Sequence, residues 1–124
     1  MESINNRSVQ RAIKALRCLP FNHRFYSAVQ EKGLTAENVF HKKYQYQVNG
    51  LKWFKSTSSV EAAFRWLIAI GVLRREVDGQ GLTSKIRLTP LGRQILKKTP
   101  GLPDQKAGFI EQISNFFDSK WPLL

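Results

Sequence analysis

Apolar residues fall at Val9, Ala12, Ile13, Leu16 and Leu19, a spacing that gathers them on one helical face, while Arg7, Arg11, Lys14 and Arg17 fall largely on the other. Ser8 stands where an N-cap is wanted and Pro20 where a stop is wanted, so a basic amphipathic helix is predicted over 8–19. Asn22 can cap a second, short helix reaching about residue 31, with Phe25, Tyr26 and Val29 inward and Gly33 after its end. Two periods compete from 35 to 48. Val39, Phe40, Tyr44 and Val48 suit a helix, whereas Tyr44, Tyr46 and Val48 alternate as a strand would ahead of the Asn49, Gly50 turn pair. The helix is the preferred reading.

The pattern sharpens after residue 56. Ser58 with Glu61 three positions on forms a capping-box signature, which predicts a helix over 58–70 stopped by Gly71. Val60, Ala63, Phe64, Leu67 and Ile70 share its apolar face, and Ala62, Arg65, Trp66 and Ala69 point away. The period then drops to two. A strand is expected over 72–77, a turn at Asp78, Gly79, Gln80 and Gly81, and a second strand over 85–88 with Ile86 and Leu88 inward and Lys85 and Arg87 outward. Thr89 and Pro90 open a helix ending near Lys98, and Pro100, Gly101 and Pro103 read as a short linker. Beyond Asp104, Phe109, Ile113, Phe116 and Phe117 recur at helical spacing beside Ile110 and Trp121. The expected class is α+β and mainly helical, with one domain over 1–99 and a C-terminal helix over 104–121.

Charge narrows the choice of partner. Twenty Lys and Arg against nine Asp and Glu leave a formal charge of +11 on 124 residues. The excess lies in the first hundred residues, and the tail is close to neutral. Such a field gathers polyanions, with nucleic acid ahead of an anionic membrane. Cys18 stands alone, so neither an intrachain disulfide nor a multi-cysteine zinc site is expected. The N-terminus lacks the apolar core of a signal peptide, and the most apolar stretch, 62–73, is interrupted by Arg65 and too short to span a bilayer. A cytoplasmic protein without membrane association is expected. His23 and His41 are isolated, the acids are scattered, and no nucleophile motif or phosphate loop is present, so neither an enzyme, nor a cofactor, nor a metal site is expected.

Residues 56–96 resemble the second half of winged helix-turn-helix transcription regulators, broadly those related to the multiple-antibiotic-resistance and PadR-like repressors. The resemblance rests on apolar residues at the first, fifth, eighth and eleventh helical positions (Val60, Phe64, Leu67, Ile70), then Gly71, the aliphatics Val72 and Leu73, and the basic pair Arg74 and Arg75. It closes on Leu88, Thr89, Pro90, Gly92 and Arg93, matching a Leu-Thr-Pro-x-Gly-Arg junction. Residues 34–55 are longer and more aromatic than that pattern.

The resemblance implies a winged helix-turn-helix with a two-stranded β-wing over 72–88, a recognition helix over 58–70, and duplex DNA as partner. Arg74, Arg75, Lys85 and Arg87 flank the wing and are candidates for phosphate contact, as are Lys52 and Lys55 upstream. Ser58 and Ser59 can donate to phosphate at the helix start. Arg65 is the candidate base reader, because its planar fork matches the acceptors of guanine. Trp66 is expected to pack on the wing or on Trp53 and Phe54, and Glu61 to serve the capping box or pair with Arg65. Two alternatives stay open. One is a winged-helix module that binds protein, which an exposed apolar patch around Trp66 would favour. The other binds single-stranded nucleic acid through Tyr44, Tyr46, Trp53 and Phe54. Regulators of this kind commonly dimerise outside the winged module, and Phe109, Ile113, Phe116 and Phe117 are the candidate homodimer contacts. An effector ligand is left open.

Overall fold

The computed structural model describes residues 6–99 and 101–104. Helix α1 (Asn6–Cys18) starts before Ser8, which lies inside it rather than capping it. Its inner face buries Ala12, Ala15 and Leu16 completely. Asn22 caps α2 (His23–Glu31) as expected: its side-chain oxygen accepts from the Phe25 amide at 3.1 Å, and its Nδ2 donates to the Gln45 carbonyl at 2.9 Å. One side chain thus starts a helix and ties it to a segment twenty-three residues away.

The continuous helix expected over 35–48 is not formed. The chain makes α3 (Ala36–Phe40), opened by a reciprocal capping box between Thr35 and Asn38, and then α4 (Lys43–Tyr46). The break has a backbone cause. The Tyr46 carbonyl accepts from the Asn22 amide at 2.9 Å and the Val48 amide donates to the Pro20 carbonyl at 2.8 Å, so Gln47 pairs antiparallel with Phe21. The competing strand period of Tyr46 and Val48 reflects this short pairing. Both side chains are buried, at 7% exposure.

Helix α5 (Thr57–Ile70) begins one residue earlier than expected. Ser56 is its N-cap, accepting from the Ser59 amide at 3.1 Å, so the Ser58/Glu61 box does not form. Gly71 ends the helix in the left-handed region at φ 99°, where a side chain would be strained. Trp66, off the apolar stripe but expected to pack against the wing or the upstream aromatics, is buried at 4% exposure. The stripe is wider than one face because α5 packs against both α1 and α3. Phe64 meets Phe21 and Phe25, whose rings stack at 4.1 Å, and Phe54 and Trp53 complete this aromatic cluster around Phe21.

Strands β1 (Leu73–Asp78) and β2 (Gly81–Leu88) pair antiparallel, with Leu73 opposite Leu88 and Arg74 opposite Arg87. The second strand is twice its expected length, and the register shifts between Arg75 and Val77. Helix α6 (Pro90–Lys98) follows the Thr89 cap as expected. Leu102–Asp104 forms one turn of 3-10 helix in which Leu102 and Pro103 are buried. The stretch read as a linker therefore packs on the domain, and the Asp104 carboxylate accepts from the His23 amide and meets His23 Nδ1, each at 2.8 Å. The described residues form an α+β fold, mainly helical, with six α-helices and one two-stranded sheet. The candidate dimer contacts Phe109, Ile113, Phe116 and Phe117 lie outside the described residues.

Candidate nucleic-acid interface

The hairpin is held to the helical body by a third extended residue. Leu34, between α2 and α3, exchanges two backbone bonds with Ile86: its amide donates at 3.3 Å and its carbonyl accepts at 2.9 Å. Gly33 permits the approach, since a Cβ there would stand 2.9 Å from Lys85 Cβ and 2.3 Å from Glu76 Oε1. A single apolar residue between polar neighbours carries no period-two signal, so this pairing was not legible in the sequence.

The base of the hairpin is tied to α5 and α6 by one hydroxyl. Thr89 Oγ1 accepts from the Gly92 amide at 3.0 Å and shares its one hydrogen between the Gly71 carbonyl at 2.5 Å and the Val72 carbonyl at 3.0 Å, while the Thr89 amide reaches the Val72 carbonyl. Gly92 is needed at this junction, because a Cβ would lie 2.8 Å from both the Val72 carbonyl oxygen and Leu88 Cδ1. The Leu-Thr-Pro-x-Gly segment thereby fixes the direction in which the hairpin leaves the body.

The nine candidate contact residues divide into two groups. Lys52, Lys55, Ser58, Arg65, Arg74 and Lys85 are exposed. Arg65 shows 55% of its side chain to solvent and lies 3.5 Å from Glu61. Arg74 donates to the neighbouring Arg75 carbonyl, at 3.3 Å.

The remaining three are engaged by the protein itself. The Arg75 side chain is 18% exposed, pairs through Nη2 with the Glu61 carboxylate, and donates to the Ser84 carbonyl at 3.2 Å. Arg87 donates to the Val29 and Gln30 carbonyls at 3.2 and 3.0 Å, and lies 3.5 Å from Glu76. It thus satisfies carbonyls at the C-terminal turn of α2, where a cation also complements the helix dipole. Ser59 Oγ is 3.1 Å from Ser56 Oγ, within the cap. Glu61 does pair with Arg65, but its closer partner is Arg75, a contact between helix and strand that neither period displays.

A cleft of about 410 Å³ opens between α3, the first turns of α5 and β2, its lining including the hydroxyls of Thr57 and Ser58, the carboxylates of Glu37 and Glu61, and Arg65. Hydroxyls from the start of α5, two carboxylates and one half-exposed guanidinium therefore meet the edge of the hairpin in a single concavity. Among the described residues no cluster of His, Cys, Asp or Glu can hold a metal ion, and no helix is long and apolar enough to cross a membrane.

One family model, described as Npun_F0494-like, matches residues 2–119, and the chain belongs to that family. No curated protein and no solved structure matches the chain.

Proposed function

We propose that this member of the Npun_F0494-like family binds duplex DNA as a winged-helix protein, with α5 as recognition helix and the β1–β2 hairpin as wing. The observation that carries the reading is the Leu34–Ile86 pairing. It completes the order helix, extended residue, helix, longer helix and hairpin, with Leu34 in the connection after the first of these helices paired to the last strand, so that the hairpin is braced against the helical body. The helix-turn-helix part is looser, since α4 and 47–56 separate α3 from α5, yet α3 still packs on α5.

Charge and exposure support the same partner. The net charge is +11, and Lys52, Lys55, Arg65, Arg74 and Lys85 are exposed on the approach to α5, on α5 and on the wing. Arg65 sits past the middle of α5, free enough to reach a base edge. Arg75 and Arg87 hold the wing in position, and Arg74 and Lys85 are its phosphate contacts. Fluorescence anisotropy with a random duplex at two salt concentrations tests the reading. Binding should weaken by about 0.9 log units per log unit of salt for each phosphate engaged. Absence of binding at low ionic strength overturns it.

The two alternatives fare differently. Three of the four aromatics offered for single-stranded stacking are drawn inward: Tyr46 is buried and Trp53 and Phe54 pack around Phe21, leaving Tyr44 exposed at 80%. The apolar patch sought around Trp66 is absent, because that indole is buried. A protein partner is favoured by one other feature, the cross-strand pair Val77 and Leu82 at the wing tip, exposed at 62% and 75%. Substituting both by Ser leaves duplex affinity unchanged if the tip serves protein, and lowers it if the tip meets DNA.

A further inference from the structure

Helices α2 and α6 line a cavity of about 520 Å³. From α2 come His23, Tyr26, Ser27 and Gln30, and from α6 come Arg93, Leu96 and Lys97. The spacing of 23, 26, 27 and 30, and of 93, 96 and 97, puts each set on one helical face.

Three observations ask for a ligand there. Arg93 and Lys97 stand one turn apart on α6, exposed, and neither forms an ion pair among the described residues. Like charges at that spacing repel, and an anion between them removes the repulsion. Tyr26 is 1% exposed and its hydroxyl has no hydrogen-bond partner, which costs stability unless something accepts from it. The Ser27 hydroxyl and the Gln30 amide add neutral donors, and Leu96 with the Tyr26 ring adds apolar wall. A volume of about 520 Å³ lies within the range of small-molecule sites.

We propose that the α2–α6 cavity binds a small organic oxyanion, a carboxylate or phosphate on an apolar body, with Arg93 and Lys97 holding the charge and the Tyr26 hydroxyl donating to it. His23 already engages Asp104 through Nδ1, so only its Nε2 is left to face a ligand.

The test is a titration of the isotope-labelled full chain with phenyl phosphate and, separately, phenylacetate, followed by amide chemical shifts. The expected result is saturable shifts concentrated at 23–30 and 93–97, with inorganic phosphate binding more weakly than phenyl phosphate. The pair Arg93→Gln and Lys97→Gln should weaken binding at least tenfold. Tyr26→Phe should weaken it at least threefold while the thermal midpoint holds or rises, since an unpartnered hydroxyl is removed. Shifts spread equally over Lys52, Lys55, Arg74 and Lys85 overturn the proposal, as do the absence of saturation and an unchanged affinity in Tyr26→Phe. No nucleic acid is present in the sample, so the result is independent of the DNA reading.

Discussion

Arg75 on β1 reaches across to Glu61 on α5, and the same carboxylate lies 3.5 Å from Arg65 on the next turn of that helix. One acid therefore sets the position of two arginines with different freedom, 18% exposed for Arg75 and 55% for Arg65. The adjacent basic residues Arg74 and Arg75 consequently have separable roles. Arg75→Ala should destabilise the fold by about 1–2 kcal/mol, between the values for exposed and buried pairs. Arg74→Ala should leave stability unchanged and flatten the salt slope of duplex binding by about 0.9. Denaturant unfolding and anisotropy on the two single variants check this; a flattened slope in Arg75→Ala at unchanged stability would reverse the assignment.

Arg65 is expected to act on sequence preference rather than on overall affinity. Its guanidinium is held loosely, at 3.5 Å from Glu61, and can exchange that contact for a base edge. Arg65→Ala should cost about 1–3 kcal/mol at the preferred site and little elsewhere. Selection from a random duplex library compares the two preference profiles. Identical profiles from two folded proteins would mean that α5 does not read bases through this residue.

Local signals were legible where a residue acts on its own neighbours. Asn22 and Thr89 each start a helix and Gly71 ends one in the expected place, and the reversal from helix to hairpin after residue 71 follows the change of period. Contacts between distant segments left no such trace. Leu34 pairs with Ile86 through backbone atoms alone, and Arg75 and Arg87 are drawn inward by acids and carbonyls far along the chain. The candidate residues could therefore be named from sequence, while their division into exposed side chains and ones engaged within the fold required coordinates.

Gly92 is a test of how tightly α6 must approach the hairpin. A Cβ there would lie 2.8 Å from the Val72 carbonyl oxygen, a backbone atom that cannot swing away. Gly92→Ala should destabilise by about 1–3 kcal/mol, as overpacking does, despite the better helix propensity of alanine. Gly101→Ala, with nothing within 4 Å of the added carbon, is the control and should change little. Equal unfolding midpoints for the two variants would show that the junction yields without cost.

Tyr26 should make stability fall at alkaline pH. Burial pushes its phenol well above the ordinary tyrosine value, because an ionised oxygen would lose its hydration in the core. In the unfolded chain the phenol ionises above a pH of about 10, so the unfolded state binds fewer protons there than the folded state does. Stability from this group is thus fully present below that pH and declines as pH rises beyond it, by about 1.4 kcal/mol per unit. Lysines also titrate in this range, so the informative quantity is the difference between the protein and Tyr26→Phe. Chemical unfolding of both between pH 9 and about 11 should give curves that diverge only above a pH of about 10, the variant losing less stability. Parallel curves across the whole range would mean that the Tyr26 phenol ionises as readily in the folded chain as in the unfolded one.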